Sequence, residues 1–161
     1  MPLTLNGNGT EAGAIFNRPA FLVYRNAQQL LDNDTPTIIQ FDTETIDTDN
    51  CYNLTTHKFT PTSAGTYWVS CNTCVSTTTT PRLEDATTSI FKNTTAIATA
   101  EIDPSNSDDM AAASNQLSII VEMNGTTDFL QVKASIDSDG GTREVRVSSG
   151  RTYFCGYKLL L

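Results

Sequence analysis

Apolar and polar residues alternate along this chain in short runs, broken by clusters of Gly, Pro, Asn, Asp and Thr. PAFLVYRN (19–26) puts Phe21 and Val23 on one face of a strand and Leu22 and Tyr24 on the other. TIIQF (37–41) follows the turn signal DNDTP, and DTETIDTDN (42–50) reads as an acidic, turn-rich link. HKF (57–59) leads into FTPTSAGTYWVSC (59–71), and GTYWVSCNTCVS (65–76) is the longest early strand. TTSIFKN (87–93) and TAIATAEI (95–102) are parted by a turn at Asn93, and DPSNSDDM (103–110) is a loop by composition. NQLSIIVEM and DFLQVKASI flank NGTT (124–127), a hairpin signal, with Leu130, Val132 and Ala134 pointing inward. SDGGT turns into REVRV, and TYFCGYKLLL (152–161) follows. This pattern predicts about ten strands and no helix, hence an all-β sandwich or barrel. Residues 1–18 are polar and Gly-rich without periodicity, so an irregular N-terminal arm (1–18) is expected ahead of one domain (19–161). The apolar ending LLL predicts a final strand that lies central in a sheet or under another subunit.

Composition sharpens this picture. A chain of 161 residues is long enough to bury a core without disulfide or metal staples. Charged residues make up 17%, below the usual share, and β-branched threonine fills much of the gap. The formal charge of −8, with ten scattered Lys and Arg, argues against nucleic acid as a partner. No stretch is apolar for the length of a membrane span, and MPLTLNGNGT has neither the basic head nor the apolar run of a signal peptide. The expectation is a chain that either stays in the cytosol where it is made or leaves by lysis or within an assembly.

Candidate chemistry is sparse. Cysteines stand at 51, 71, 74 and 155. On a strand, Cys71 and Cys74 face opposite ways, so their CxxC does not form a metal knuckle; no metal site is assigned and the thiols are taken as small buried hydrophobes. His57, the one histidine, is placed on a strand edge at the surface. No nucleophile-elbow, zincin, P-loop or dinucleotide fingerprint occurs, and no enzyme is expected. Asn8, Asn53, Asn93 and Asn124 begin glycosylation sequons, to which no glycan is assigned.

One pattern is specific. Phe41, Asp47, Tyr52, Phe59, Gly65 and Tyr67 read F-x5-D-x4-Y-x6-F-x5-G-x-Y. This resembles the signature of the complement-1q globular head family, which shares a ten-stranded, two-sheet jelly roll with the tumour necrosis factor superfamily. NGTTDFLQV is similar to the family's Gly-Asp strand. TYFCGYKLL is similar to its Phe-Ser-Gly-aromatic-Leu-Leu strand, with Cys155 in the serine place. Val69 and Cys71 depart from the pattern, standing where aromatics are usual. The six signature residues are taken as core-packing fold markers. The resemblance implies a homotrimer, and calcium as a ligand in some relatives. Asp42, Glu44, Asp47 and Asp49, with Asp137 and Asp139, are therefore the candidate cation-binding residues, although solvated turns explain such acidic clusters more readily.

LTLNGNGT, RPAF, TETIDTDN and YNLTTHKFTPTSAGTYWV are moreover similar to bacteriophage virion structural proteins carrying this domain. The expectation is a homotrimeric surface knob, a capsid decoration or cement protein docked to capsid or tail proteins through residues 1–18. The alternatives are a tail or head fibre protein that binds a host surface receptor or glycan, and a secreted complement-like recognition module.

Overall fold

The computed structural model describes residues 17–78, 83–104, 110–147 and 150–160. The arm expected at 1–18 lies outside the described residues except for Asn17 and Arg18. The described residues are all-β, and among them no helix is long and apolar enough to cross a membrane.

Thirteen strands pair among the described residues, more than the pattern alone resolves, because five segments contribute only two or three residues each. In chain order they are β1 (Ala20–Tyr24), β2 (Gln29–Leu30), β3 (Thr37–Ile38), β4 (Thr43–Asp47), β5 (Tyr52–Asn53), β6 (Lys58–Phe59), β7 (Gly65–Thr77), β8 (Leu83–Lys92), β9 (Thr95–Ile102), β10 (Ala112–Met123), β11 (Leu130–Ser138), β12 (Arg143–Val145) and β13 (Tyr153–Lys158). They form two antiparallel sheets, a jelly-roll sandwich. The first is seven-stranded in the order β2-β12-β7-β13-β1-β4, with β10 along the other side of β7. The second is six-stranded in the order β5-β6-β11-β8-β9, with β3 also on β11.

Alternation decides what each strand buries. From β7 come Tyr67, Val69, Cys71 and Val75, from β11 Leu130, Val132, Ala134 and Ile136, from β1 Phe21 and Val23, and all enter one core. Aromatic rings join the sheets: Phe21 of the first stacks on Phe59 of the second at 4.1 Å between centroids, and Phe154 meets Phe21 edge-on at 4.8 Å. Offset and edge contacts of this kind add to what their area alone contributes. Toward the other end the interior turns polar. Thr73 and Thr88 share a hydrogen bond across the sheets, and Asn115 Nδ2 donates to the Ala86 carbonyl at 2.7 Å.

Three expectations change. Residues 42–50 are not a link: Thr43–Asp47 is the edge strand β4, paired to β1. An edge strand has water on one side, so acidic residues are tolerated there and discourage further pairing. NGTT does not close a hairpin either, since β10 pairs with β7 and β11 with β8, β3 and β6, in different sheets. The loop is a crossover, held by Asn124 Oδ1, which accepts the N–H groups of Thr126, Thr127 and Asp128. His57 sits in a left-handed turn (φ 55°) rather than on a strand edge, its Nδ1 3.3 Å from the Phe41 carbonyl. The Asn93 turn does join paired strands, β8 and β9. β13 lies between β7 and β1, central as the apolar ending suggests.

Candidate functional site

The outward positions of the seven-stranded sheet carry an exposed apolar feature among the described residues. In register across four strands run Ala20, Tyr157, Trp68 and Ile120. The next row is Ile46, Leu22, Cys155, Ser70 and Ser118, and the one beyond it Tyr24, Tyr153, Asn72 and Gln116. Trp68 and Tyr157 touch with centroids 5.5 Å apart. Ile120 is 61% exposed and Ile46 44%, although both stand beside large apolar neighbours. One end of this face is thus apolar and aromatic. The other is polar and carries an open hollow of about 270 Å³ lined by Ser76, Thr77, Thr78, Ala111, Ala112, Glu144 and Arg146. A contiguous apolar patch left in water marks an interaction surface. Along the side where β9 and β10 lie, Ile97, Leu117, Ile119 and Val121 pack on the core while staying partly exposed.

The signature residues lie elsewhere, inside. Phe41, Tyr52, Phe59 and Tyr67 are buried. Asp47 has a different role from core packing: its two carboxylate oxygens accept the backbone N–H groups of Cys51 and Tyr52, each at 2.8 Å, and so hold the turn that aims Tyr52 inward. Gly65 has φ 149°, and a Cβ there would lie 2.6 Å from Lys158 Cε. Val69 and Cys71, the two departures from the pattern, are fully buried in the core.

The candidate cation ligands are dispersed, and several are already engaged. Asp42 accepts the N–H groups of Asn26 and Ala27 and pairs with Arg25 at 3.0 Å. Burial pushes its carboxyl pKa up, but the bonds from Ala27, Asn26 and Thr43 and the Arg25 charge outweigh this and hold it below its ordinary value. Asp49 pairs with Arg18 at 2.7 Å, and Asp137 accepts from Asn33 Nδ2 at 2.8 Å. Glu44 and Asp139 are exposed. Among the described residues no three His, Cys, Asp or Glu side chains gather as a metal site.

Cys71 faces the core and Cys74 the other side of the sheet, where it pairs in register with Ser114. Burial, with a lesser contribution from Cys155, pushes the Cys71 thiol up to about 12. Cys51 is buried behind the Asp47 turn, and Cys155 lies on the outward face. The described sequon asparagines are structural. Asn53 Oδ1 accepts from Thr55 and Thr56, Asn93 links to Asp128 and Phe129, and Asn124 organises the crossover loop. Asn8 lies outside the described residues.

The outward row around Trp68 escapes sequence reasoning because it is assembled from four distant strands. Its one linear signal is Trp68 itself, beside a Tyr67 that must point inward.

The sequence profile of the C1q domain matches residues 20–159. The chain belongs to the C1q domain family. That family consists of non-enzymatic recognition and structural modules. Among solved structures, this C1q domain is similar to the globular domain of zebrafish complement 1qA protein, at 14% identity and a TM-score of 0.61. The match covers 89% of this chain and 98% of that one. No curated protein matches the sequence.

Proposed function

We propose that this C1q domain is a non-catalytic homotrimeric knob whose copies meet through the outward face of the seven-stranded sheet. The observation that carries the reading is the uncovered row of Ala20, Tyr157, Trp68 and Ile120, with Leu22 and Ile46 in the row beside it. The partly exposed side at β9 and β10 supplies a second, different apolar surface. A face that meets an edge is a heterologous contact, and such contacts repeat around an axis to close a ring. Light scattering on the eluted protein should give three times the 17.5 kDa chain mass. Ile120→Glu, which places a charge in the row without touching the core, should give a folded monomer. A wild-type monomer would overturn the proposal.

The setting we propose is a bacteriophage virion, with the knob docked on the capsid through residues 1–18. It rests on the likeness of LTLNGNGT, RPAF, TETIDTDN and YNLTTHKFTPTSAGTYWV to virion proteins. Arg18 gives such an arm a fixed root, because its guanidinium binds the Thr48 carbonyl and Asp49. Deleting residues 1–18 should leave a folded trimer that no longer joins the particle. Density for the trimer only at a tail appendage would favour the fibre reading over decoration. A role as a complement-like recognition module uses the same trimer, and would be favoured by binding to a soluble partner with no particle present.

A further inference from the structure

The outward face of the six-stranded sheet carries a second constellation, remote from the assembly face. Phe91 stands opposite Gln131 in the β8–β11 ladder, and Lys133 opposite Ile38 and Ser89. Leu130 pairs with Phe59, so the next outward step brings Lys58 across from Gln131. Lys58 Nζ lies 3.7 Å above the Phe129 ring centre, and Lys133 Nζ lies 4.4 Å above that of Phe91. Gln131 sits between these two cation-ring pairs. Its Nε2 is fixed by a 3.0 Å bond to the Thr56 carbonyl, and its Oε1 accepts no protein hydrogen bond among the described residues.

The two lysines of this patch differ from the cations that are engaged in ion pairs. Arg18, Arg25 and Lys92 are each paired with an aspartate. Lys58 and Lys133 form no ion pair among the described residues, in a chain of net charge −8. Two ammonium groups on one sheet face, each over a phenylalanine ring and neither with a carboxylate partner among the described residues, form a local positive field on an otherwise acidic chain. The same face turns acidic further along β11, where Asp137 stands opposite Asp85, so an anion is confined to the lysine end.

We propose that this patch binds a carboxylated sugar chain. Ammonium groups, held in place over the capped ring faces, meet the carboxylates, the partly exposed phenylalanine rings offer their remaining apolar surface to sugar C–H groups, and the Gln131 amide oxygen accepts a hydroxyl. A few placed polar groups over an apolar floor fix a ligand's orientation. An acidic peptide fits less well. β8 and β11 are both paired on either side, so the patch has no free strand edge for a peptide backbone to extend. The assignment does not depend on the number of subunits.

The test uses the full chain and oligogalacturonate, a probe with one carboxylate per ring, against neutral dextran oligomers and polyglutamate of equal length. Titration calorimetry should detect oligogalacturonate alone, weakening about tenfold between about 50 and 300 mM salt as charges are screened. Lys58→Gln with Lys133→Gln should abolish binding, the paired Lys→Arg variant should retain it, and Arg151→Gln should not matter. Light scattering and thermal melts on each variant register loss of assembly or fold separately from loss of the ligand. In NMR spectra of the wild type, oligogalacturonate should shift the Gln131 side-chain amide and the signals of Phe91 and Phe129. Equal binding of polyglutamate, full binding by the double Lys→Gln variant, shifts confined to other regions, or no binding at low salt would each overturn the proposal.

Discussion

Tyr52→Phe should make this domain more stable, against the usual direction of core substitutions. The Tyr52 ring is nearly buried, with its centroid 5.7 Å from that of Phe21, 6.4 Å from Phe41 and 6.5 Å from Phe154. Its hydroxyl is also buried and has no hydrogen-bond partner among the described residues, and burial drives the phenol pKa far above its ordinary value. An unpartnered buried hydroxyl costs about 1–3 kcal/mol. Phenylalanine keeps the ring contacts and removes the cost, leaving a gap of only one oxygen atom. The net gain should be about 1 kcal/mol, or roughly 2–4 °C in Tm for a chain of this length. Tyr67→Phe is the matched control. The Tyr67 hydroxyl donates to the Ser63 carbonyl at 2.7 Å, so its removal should destabilise by about 1 kcal/mol. Urea unfolding of the three proteins at one protein concentration measures both, since assembly makes apparent stability depend on concentration. If Tyr52→Phe lost as much as Tyr67→Phe, the Tyr52 hydroxyl would have a partner after all, and the reasoning would fail.

Other outcomes follow from the same geometry. Asp42 has a depressed carboxyl pKa in the folded state, so its contribution is complete above the unfolded value of 3.8 and is lost as pH falls through the lower folded one. Asp42→Asn should accordingly flatten the acid limb of a plot of urea midpoint against pH, and an unchanged limb would exclude that role. Gly156→Ala would place a methyl 2.7 Å from Val69 Cγ1 and 2.8 Å from the Trp68 carbonyl. Overpacking of this kind costs about 1–3 kcal/mol, so the denaturation midpoint should drop; an unmoved midpoint would show that β13 can shift away from β7. Cys71 should resist a thiol reagent at neutral pH, while Cys155, on the outward face, should be slow in the wild type and fast in the Ile120→Glu monomer. Equal Cys155 rates in the two would mean that this residue lies off the interface.

What could be read from the residues was whatever depends on local alternation. Phe21 and Val23, and Leu130, Val132 and Ala134, turn inward as their spacing requires, and the spacing of six residues around Phe59 was enough to indicate the fold. Pairing partners were a different matter. NGTT carries a hairpin signal, yet the strands on either side of it belong to separate sheets, and that choice depends on which faces must meet in the core. The acidic run at 42–50 hid β4 because an edge strand does not need to be apolar. Asp47 was legible as a marker but not as the cap that fixes Tyr52, a role that exists only once the turn has closed. The lysine-capped rings of Phe91 and Phe129 come from three segments, and no linear spacing connects them.

The place of β13 bears on when a newly made chain can become a subunit. Among the described residues β1 and β4 join β7 only through β13, and most of the chain separates β1 from β13 in sequence. Until that late segment leaves the ribosome, the first sheet exists as two unjoined pieces and the row from Ala20 to Ile120 is not yet a surface. In the proposed trimer, nascent copies on one message would therefore lack the complete face until synthesis is nearly finished. Contacts this distant in sequence also make the final closure slow, and they couple completion of the fold to competence for assembly.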